Sequence, residues 1–274
     1  MLRARAIRHL TFMIGLAVTC VLLATAALSL VYTPKDPLEM SISGRLQGPT
    51  GSHPFGTDQF GRDLLSRVMT GAVTSILVGV IAVGIGMGLG VLLGVISGYF
   101  GGWLDEGFMR LMDAVQGFPA ILSALLISAV FRPSVGISMV AIGVAFLPVF
   151  ARLTRASFLE LRDRDFVAAA RALGAGDATI IGRHIMPNTV SPLIVQATIS
   201  FPVAILAAAA LAYLGLGTHP PDPSWGVMLG EAQAFLATSP WFGIFPGGAI
   251  ARTVLGLNLL GDGLRDRLDP KQVG

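Results

Sequence analysis

The chain has 274 residues, 53% of them hydrophobic and 13% charged, with a mean hydropathy of +0.73. A soluble domain carries about 25% charged residues, so this composition excludes one and defines an all-α integral membrane protein with the lipid bilayer as a partner. The net charge of +3 rests on arginine, which here sets topology and not nucleic-acid binding, and the lone Cys20 excludes an internal disulfide or a zinc site built on several cysteines.

Arg3, Arg5 and Arg8 precede an uncharged run over residues 10–32, about the 20 residues needed to cross a bilayer. That run exceeds the apolar core of a cleaved leader, roughly 7 to 15 residues, and is read as the first span. Residues 33–69 are polar and turn-rich, with Pro34, Pro37, Pro49 and Pro54, and are expected to fold against the outer surface. Within them, residues 53–67 read as a turn and a short amphipathic helix capped near Asp58. There Asp58, Arg62 and Asp63 are expected as structural ion pairs, because no general base or metal cluster accompanies them.

The second span is predicted over 75–98, where Gly86, Gly90, Gly94 and Gly98 form a stripe that lets a neighbouring helix approach closely. A short loop over 99–112 and a third span over 113–131, with Pro119, come next. A fourth follows over 137–152 with Pro148, and a fifth over 190–216 with Pro202. An outer loop over 218–240 contains Trp225, and the sixth span covers 241–260. Residues 1–69 therefore form one span and an outer loop, and 70–274 a five-helix core. With the amino terminus inside, thirteen of the nineteen Lys and Arg fall on the inner side, from Arg3 to Lys271. Five fall outside (Lys35, Arg45, Arg62, Arg67 and Arg132), which favours six spans with both termini cytoplasmic. The nineteenth, Arg252, stands inside the sixth span.

The one long polar interruption is the stretch 160–188, read as two short helices around a glycine turn. An Asp at 163 or 165 can cap a helix whose apolar face is Phe166, Ala169, Ala170 and Leu173, and Gly174 is placed to end it in a left-handed conformation. Asp177 can cap a second helix carrying Ile180, Ile181, His184 and Ile185, which Pro187 separates from the next apolar run. An alanine-rich face rimmed by Arg162, Arg164, Arg171 and Arg183 suits docking into a partner's groove.

The spacing of Ala169, Ala170, Gly174 and Pro187 resembles the signature loop of permease subunits in ATP-binding-cassette importers. The pattern's Glu is replaced by Ala168, its Ile by His184 and its Leu by Met186. Further stretches are similar to the dipeptide, oligopeptide and nickel branch of that family, as its second permease subunit: the segment from Gly56 through Asp63, then 213–217, 225–229 and 258–266. The resemblance implies a type I importer fold of six helices in the bacterial cytoplasmic (inner) membrane. It also implies that the loop, with Phe166, Ala169, Ala170, Arg171, Leu173, Gly174, His184 and Pro187, docks on a separate ATPase. Partners implied are a homologous permease forming a heterodimer, two ATP-binding subunits and an extracytoplasmic binding protein. Asp58, Arg62, Asp63 and Trp225 are candidates for contact with the last of these.

The only lysines are Lys35 and Lys271 and no Gly-x-x-x-x-Gly-Lys-Ser/Thr stretch exists, so ATP and Mg are expected on the partner ATPases, with no cofactor or metal on this chain. An ion-coupled secondary transporter is disfavoured because no span holds a carboxylate, apart from Asp113 at an inner edge. An enzyme is disfavoured because the four His (9, 53, 184 and 219) lie apart and no catalytic pair is evident. Arg252 is the candidate for the translocation path, favouring anionic cargo against the alternative of snorkelling or bonding to carbonyls freed by Pro148 or Pro202. Nickel or another small solute is the alternative cargo to peptides.

Overall fold

A computed structural model describes residues 2–131, 134–217 and 222–268. Arg132, His219, the first four residues of the expected outer loop 218–240, and the tail with Lys271 lie outside the described residues. The architecture is helical throughout the described residues. Five helices are long and apolar enough to cross a bilayer, and a bent pair makes up to six spans.

Helix α1 (Leu2–Ser29) includes the crossing stretch Thr11–Ser29. An irregular outer segment leads to helix α2 (Leu64–Phe100), whose amino end is capped by Asp63: its Oδ2 accepts from the Ser66 amide at 2.8 Å. The cap expected near Asp58 therefore lies five residues later, because the Asp58 carboxylate turns back into its own loop and accepts from the amides of Phe60 and Arg62. The short amphipathic helix and the second span are one continuous 37-residue helix. No proline lies between 64 and 100 to divide them, and Gly71, within the helix, leaves the room that Trp225 occupies. At 1.5 Å per residue α2 is about 55 Å long, well beyond the roughly 30 Å of hydrocarbon, so its ends project from the bilayer.

Positive φ at Gly101 and Gly102 turns the chain into helix α3 (Gly102–Gln116), where a loop is expected from sequence. Four charges in fifteen residues mask an apolar period that places Met112 in the core. Pro119 disfavours helical geometry at the residue before it, and the chain bends by 90° before helix α4 (Ala120–Val130). The third span is thus a broken pair and not one rod.

Helix α5 (Val135–Leu161), capped by Ser134, packs along α2 on the glycine stripe. A Cβ built at Gly86, Gly90 or Gly98 falls 2.5–2.8 Å from the Cβ of Phe146, Phe150 or Phe158. No side chain fits there, so the seam expected from sequence is real. Helix α5 continues nine residues past its expected end. Two short helices follow, α6 (Asp165–Ala172) and α7 (Asp177–Thr179), then a π turn (Ile180–Ile185) and helix α8 (Met186–Tyr213). Helix α9 (Trp225–Ala232) and helix α10 (Trp241–Leu268) complete the described residues. One core lies among α2, α4, α5 and α8, and a second among α1, α2, α9 and α10.

Candidate functional site: the inner loop and its anchors

The inner loop is built on the end of α5. Its first helix, α6, starts after Arg164 with no side-chain cap, so neither Asp163 nor Asp165 caps it as expected. Asp165 instead sits in the first turn, where the helix dipole favours a carboxylate. Asp163 pairs with Arg162 at 3.7 Å, and Arg164 with Glu160 at 2.9 Å. The carboxyl end follows the sequence reading closely. Gly174 has φ +84°, the Gly174 amide donates to the Arg171 carbonyl and the Ala175 amide to the Ala170 carbonyl, both at 3.0 Å. Those two bonds make a Schellman motif, which needs the left-handed residue that glycine supplies without strain.

The apolar face expected on α6 divides in two. Ala170 is buried, and Val167 packs against Phe158, Ile180 and Ile185. Phe166, Ala169 and Leu173 point away from the protein, and Leu173 is 89% exposed. Five consecutive apolar or alanine positions, 166–170, offer enough circumference to line two faces, so the sequence pattern alone does not choose between them. Arg171 is exposed beside them.

Asp177 does not cap α7 either; Gly176 holds the cap position. The Asp177 carboxylate accepts from the Tyr99 hydroxyl at 2.5 Å, and the Arg162 guanidinium donates to the Gly98 carbonyl at 3.1 Å. Both bonds tie the loop to the inner end of α2. Pro187 does not separate two helices: the chain runs helically through 177–213. The π turn before it explains why. The Met186 amide reaches back five residues to the Ile181 carbonyl, and this wider ladder, with Pro187 in the first turn of α8, relieves the clash a proline makes in an α-helical interior. His184 is half-buried, and its carbonyl accepts from Asn188 at 2.7 Å.

Sequence reasoning missed the clamp that holds this stem. Arg155 of α5 forms a two-bond pair with Asp105 of α3, at 2.5 and 2.6 Å, and Arg152 bonds Asp113 at 2.6 Å as well as Gln116. The signal was present as two arginines at 152 and 155 and two aspartates at 105 and 113, but a loop reading of 99–112 hid it.

At the other end of the molecule the segment before α2 and helix α9 meet. Asp58, Arg62 and Arg67 are buried together. The Arg62 Nε donates to Asp58 Oδ2 at 2.5 Å, and Arg62 and Arg67 reach Glu231 of α9 at 3.4 and 3.3 Å. His53 Nδ1 lies 2.9 Å from Asp63, with Lys35 3.0 Å from its other ring nitrogen. Trp225 donates from Nε1 to the Val68 carbonyl at 2.9 Å. The Asp58–Arg62 pair read from sequence is present and Glu231 completes it, whereas Asp63 faces His53 and caps α2. All four proposed contact residues, Asp58, Arg62, Asp63 and Trp225, are interior: Asp58 and Arg62 are paired with Arg67 and Glu231, Asp63 caps α2, and Trp225 packs under Val68. As direct outer contacts they are corrected by this burial. Exposed side chains on the same face are Met40, Ile42, Phe60 and Leu236.

Arg252 is exposed on the α10 wall of a groove of about 490 Å³, which it shares with Val21 and Thr25 of α1 and with Phe55 of the outer segment. Pro148 and Pro202 are not among the groove's lining residues, and no hydrogen bond joins Arg252 to a carbonyl among the described residues. No group of three or more potential metal ligands occurs among the described residues.

A bent-pair helical bundle with a two-helix inner loop strapped to its span ends is the build of an importer permease, and the comparisons agree. Residues 90–274 match the family of binding-protein-dependent transport system inner membrane components, and the chain belongs to that family. It is a membrane-embedded permease subunit of an ATP-binding-cassette importer, a class that works with ATPase and substrate-binding partners. The chain is 44% identical over 258 residues to the dipeptide transport system permease protein DppC of Alkalihalophilus pseudofirmus, covering 94% of this chain and 85% of that one. It is 49% identical over 227 residues to the glutathione transport system permease protein GsiD of Shigella flexneri, covering 83% and 75%. The fold matches that of the MetNI methionine ABC transporter in an inward-facing conformation, with TM-score 0.59 at 18% identity over 75% of this chain and 96% of that one. The described architecture is therefore that of a type I importer permease.

Proposed function

We propose that this chain carries peptides or related small solutes across the cytoplasmic membrane as one half of a permease heterodimer, with both termini cytoplasmic and ATP and Mg held by two separate ATPase subunits. The observation that carries this reading is the inner loop. Phe166, Ala169 and Leu173 form an exposed apolar strip on a helix whose other face is packed and whose ends are tied to α2 and α5. Such a strip on a rigid mount is a docking surface for an ATPase groove. The ion pairs from α5 to α3 then offer a route by which displacement of the loop reaches the broken span. The dipeptide and glutathione relatives support a peptide-class cargo.

The test is ATP-dependent uptake of labelled di- and tripeptides into vesicles holding the full transporter, with Gly174→Val as the variant. Valine at φ +84° is strained, so uptake falls while ATP hydrolysis continues and the protein stays in the membrane. Normal uptake by the variant would show that the turn does not matter. Failure of the wild type to take up any peptide would instead overturn the cargo class alone.

Arg252 is proposed to line the path and to favour cargo bearing a carboxylate or another anion. A charge near mid-span costs at least about 2.5 to 3.5 kcal/mol, and a groove that admits water or cargo lowers that cost. Arg252→Leu is expected to reduce uptake of anionic cargo with assembly and ATPase coupling unchanged, and unaltered uptake rules the role out.

The outer surface around Met40, Ile42, Phe60 and Leu236 replaces the buried residues as the proposed contact for the binding protein. Cysteines placed at these positions are expected to react with an impermeant thiol reagent from outside.

A further inference from the structure

We infer that Lys35, His53 and Asp63 form a pH-sensitive latch, closed while His53 is neutral, that ties the link after α1 to the first turn of α2. The chemistry belongs to the residues alone; only the side of the membrane whose pH it reads rests on the proposed topology.

The three side chains stand in line. His53 Nδ1 lies 2.9 Å from Asp63 Oδ1, and Lys35 Nζ lies 3.0 Å from His53 Nε2. An ammonium has donors and no acceptor, so Nε2 supplies the lone pair and the ring proton sits on Nδ1, from which it is donated to Asp63. That fixes a neutral ring in one tautomer. The other Asp63 oxygen, Oδ2, accepts from the Ser66 amide and hydroxyl, both at 2.8 Å, and Ser66 Oγ in turn accepts from the Lys35 amide at 3.0 Å. Lys35 is thus held twice, by backbone and by side chain, on the groups that cap α2.

Protonation acts on one of these contacts. An imidazolium has two donors and no acceptor, so its Nε2–H would face the Lys35 ammonium across 3.0 Å, like charge against like. The ring cannot readily retreat, because its own turn fixes its backbone. The Thr50 and Gly56 amides donate to the His53 carbonyl at 2.8 and 2.9 Å, and the His53 amide donates to Thr50 Oγ1 at 3.1 Å. Asp63 faces the ring whether Lys35 is present or gone. Lys35 is therefore the member that leaves, the closed latch binds one proton fewer than the open one, and acid favours opening. Histidine changes its charge between pH 5 and 8, a window in which lysine and aspartate ordinarily keep theirs.

Among the described residues, the charged groups facing the ring are these two, from the link after α1 and the start of α2. Helix α9 brings Glu231, which is turned to Arg62 and Arg67, and α10 meets the segment through apolar rings, Phe55 stacked on Phe245 at 4.0 Å. His53 keeps 16% of its side chain accessible, so protons reach it from water.

Neighbouring bonds bound what the latch controls. From Ser41 onward the segment has anchors of its own: the Ser41 amide donates to the Phe60 carbonyl at 3.0 Å and the Leu46 amide to the Asp58 carbonyl at 2.9 Å. Between α1 and Ser41, the long-range hydrogen bonds among the described residues are those of Lys35. Helix α1 also lines the groove that holds Arg252, through Val21 and Thr25. Opening the latch therefore loosens the tether of one wall of that groove and leaves the cap itself in place.

The experiment is hydrogen–deuterium exchange on the assembled transporter in lipid nanodiscs, which expose both faces, so its outcome does not depend on the topology. Exchange at the Lys35 amide, normalised to the intrinsic rate, is compared at about pH 8 and about pH 5, with the Leu46 amide as internal reference. In the wild type, protection at Lys35 is expected to fall about tenfold at the lower pH, as loss of a hydrogen bond to a charged group implies, while protection at Leu46 is unchanged. His53→Gln offers an acceptor to Lys35 and a donor to Asp63 without a titrating proton, and Lys35→Met removes the repelled charge. The acid-induced fall is expected to vanish in both variants. Equal wild-type protection at Lys35 at the two pH values overturns the inference. So does a fall retained in either variant, which assigns it to another group, or a matching fall at Leu46, which means that the whole cap melts.

Discussion

The outer cap and the inner loop use the same residue types to opposite ends. In the cap, Asp58, Arg62 and Arg67 are buried and meet Glu231, so their charges cancel inside a shell of hydrogen bonds. In the loop, Arg164, Arg171 and Arg183 stand in water while Leu173 and Phe166 are left bare. Buried charge holds a shape, because removing one member strands the others; exposed apolar surface is unfavourable alone and is retained where a partner covers it. Arginine in the cap therefore holds the fold, whereas Leu173 in the loop is proposed as a contact for a partner.

Changes that break the cap should cost the most stability. Asp58→Ala leaves two guanidiniums facing one partly buried carboxylate, and about 3–5 kcal/mol is expected, read as a lowered thermal midpoint in detergent. A variant as stable as wild type would mean that the charges do not hold the cap. The α2–α5 seam comes next. Gly94→Ala puts a Cβ 2.6 Å from that of Thr154 and is expected to cost about 1–3 kcal/mol. At Gly84, which meets nothing within 4 Å, the same change is neutral or mildly stabilising. Equal effects at the two glycines would remove the seam from the account. The clamp is smaller still. Arg155→Gln breaks a pair that water partly screens, so the cost stays below about 1 kcal/mol, but uptake per ATP hydrolysed is expected to fall as α3 is released from the stem. Leu173→Asp, at a fully accessible position, should change stability by no more than about 0.5 kcal/mol.

What could be read in the sequence was whatever a single residue type enforces. The glycine stripe from Gly86 to Gly98 had one steric meaning, and Gly174 followed by Ala175 had one turn chemistry. Misreadings arose where two local rules competed. Asp58, Asp63, Asp163, Asp165 and Asp177 all suit a cap, and only Asp63 serves as one; Asp58 and Asp177 bind partners more strongly placed than an open helix end, Arg62 and Tyr99. Pro187 is a breaker by rule but is absorbed by a π turn that composition does not signal. Charges in α3 masked its period, and Glu231 was unreadable as a partner because 169 residues separate it from Arg62.

The central claim is that the exposed strip of the inner loop docks the ATPase while the buried cap only holds the fold. It is tested most directly by titrating the purified ATPase subunit onto the permease heterodimer in lipid nanodiscs, wild type against Leu173→Asp, with thermal midpoints measured on the same samples. Loss of a central apolar anchor costs about 2 kcal/mol, so binding about thirtyfold weaker with an unchanged midpoint is the expected result. Unchanged ATPase affinity in a variant that remains folded would contradict it.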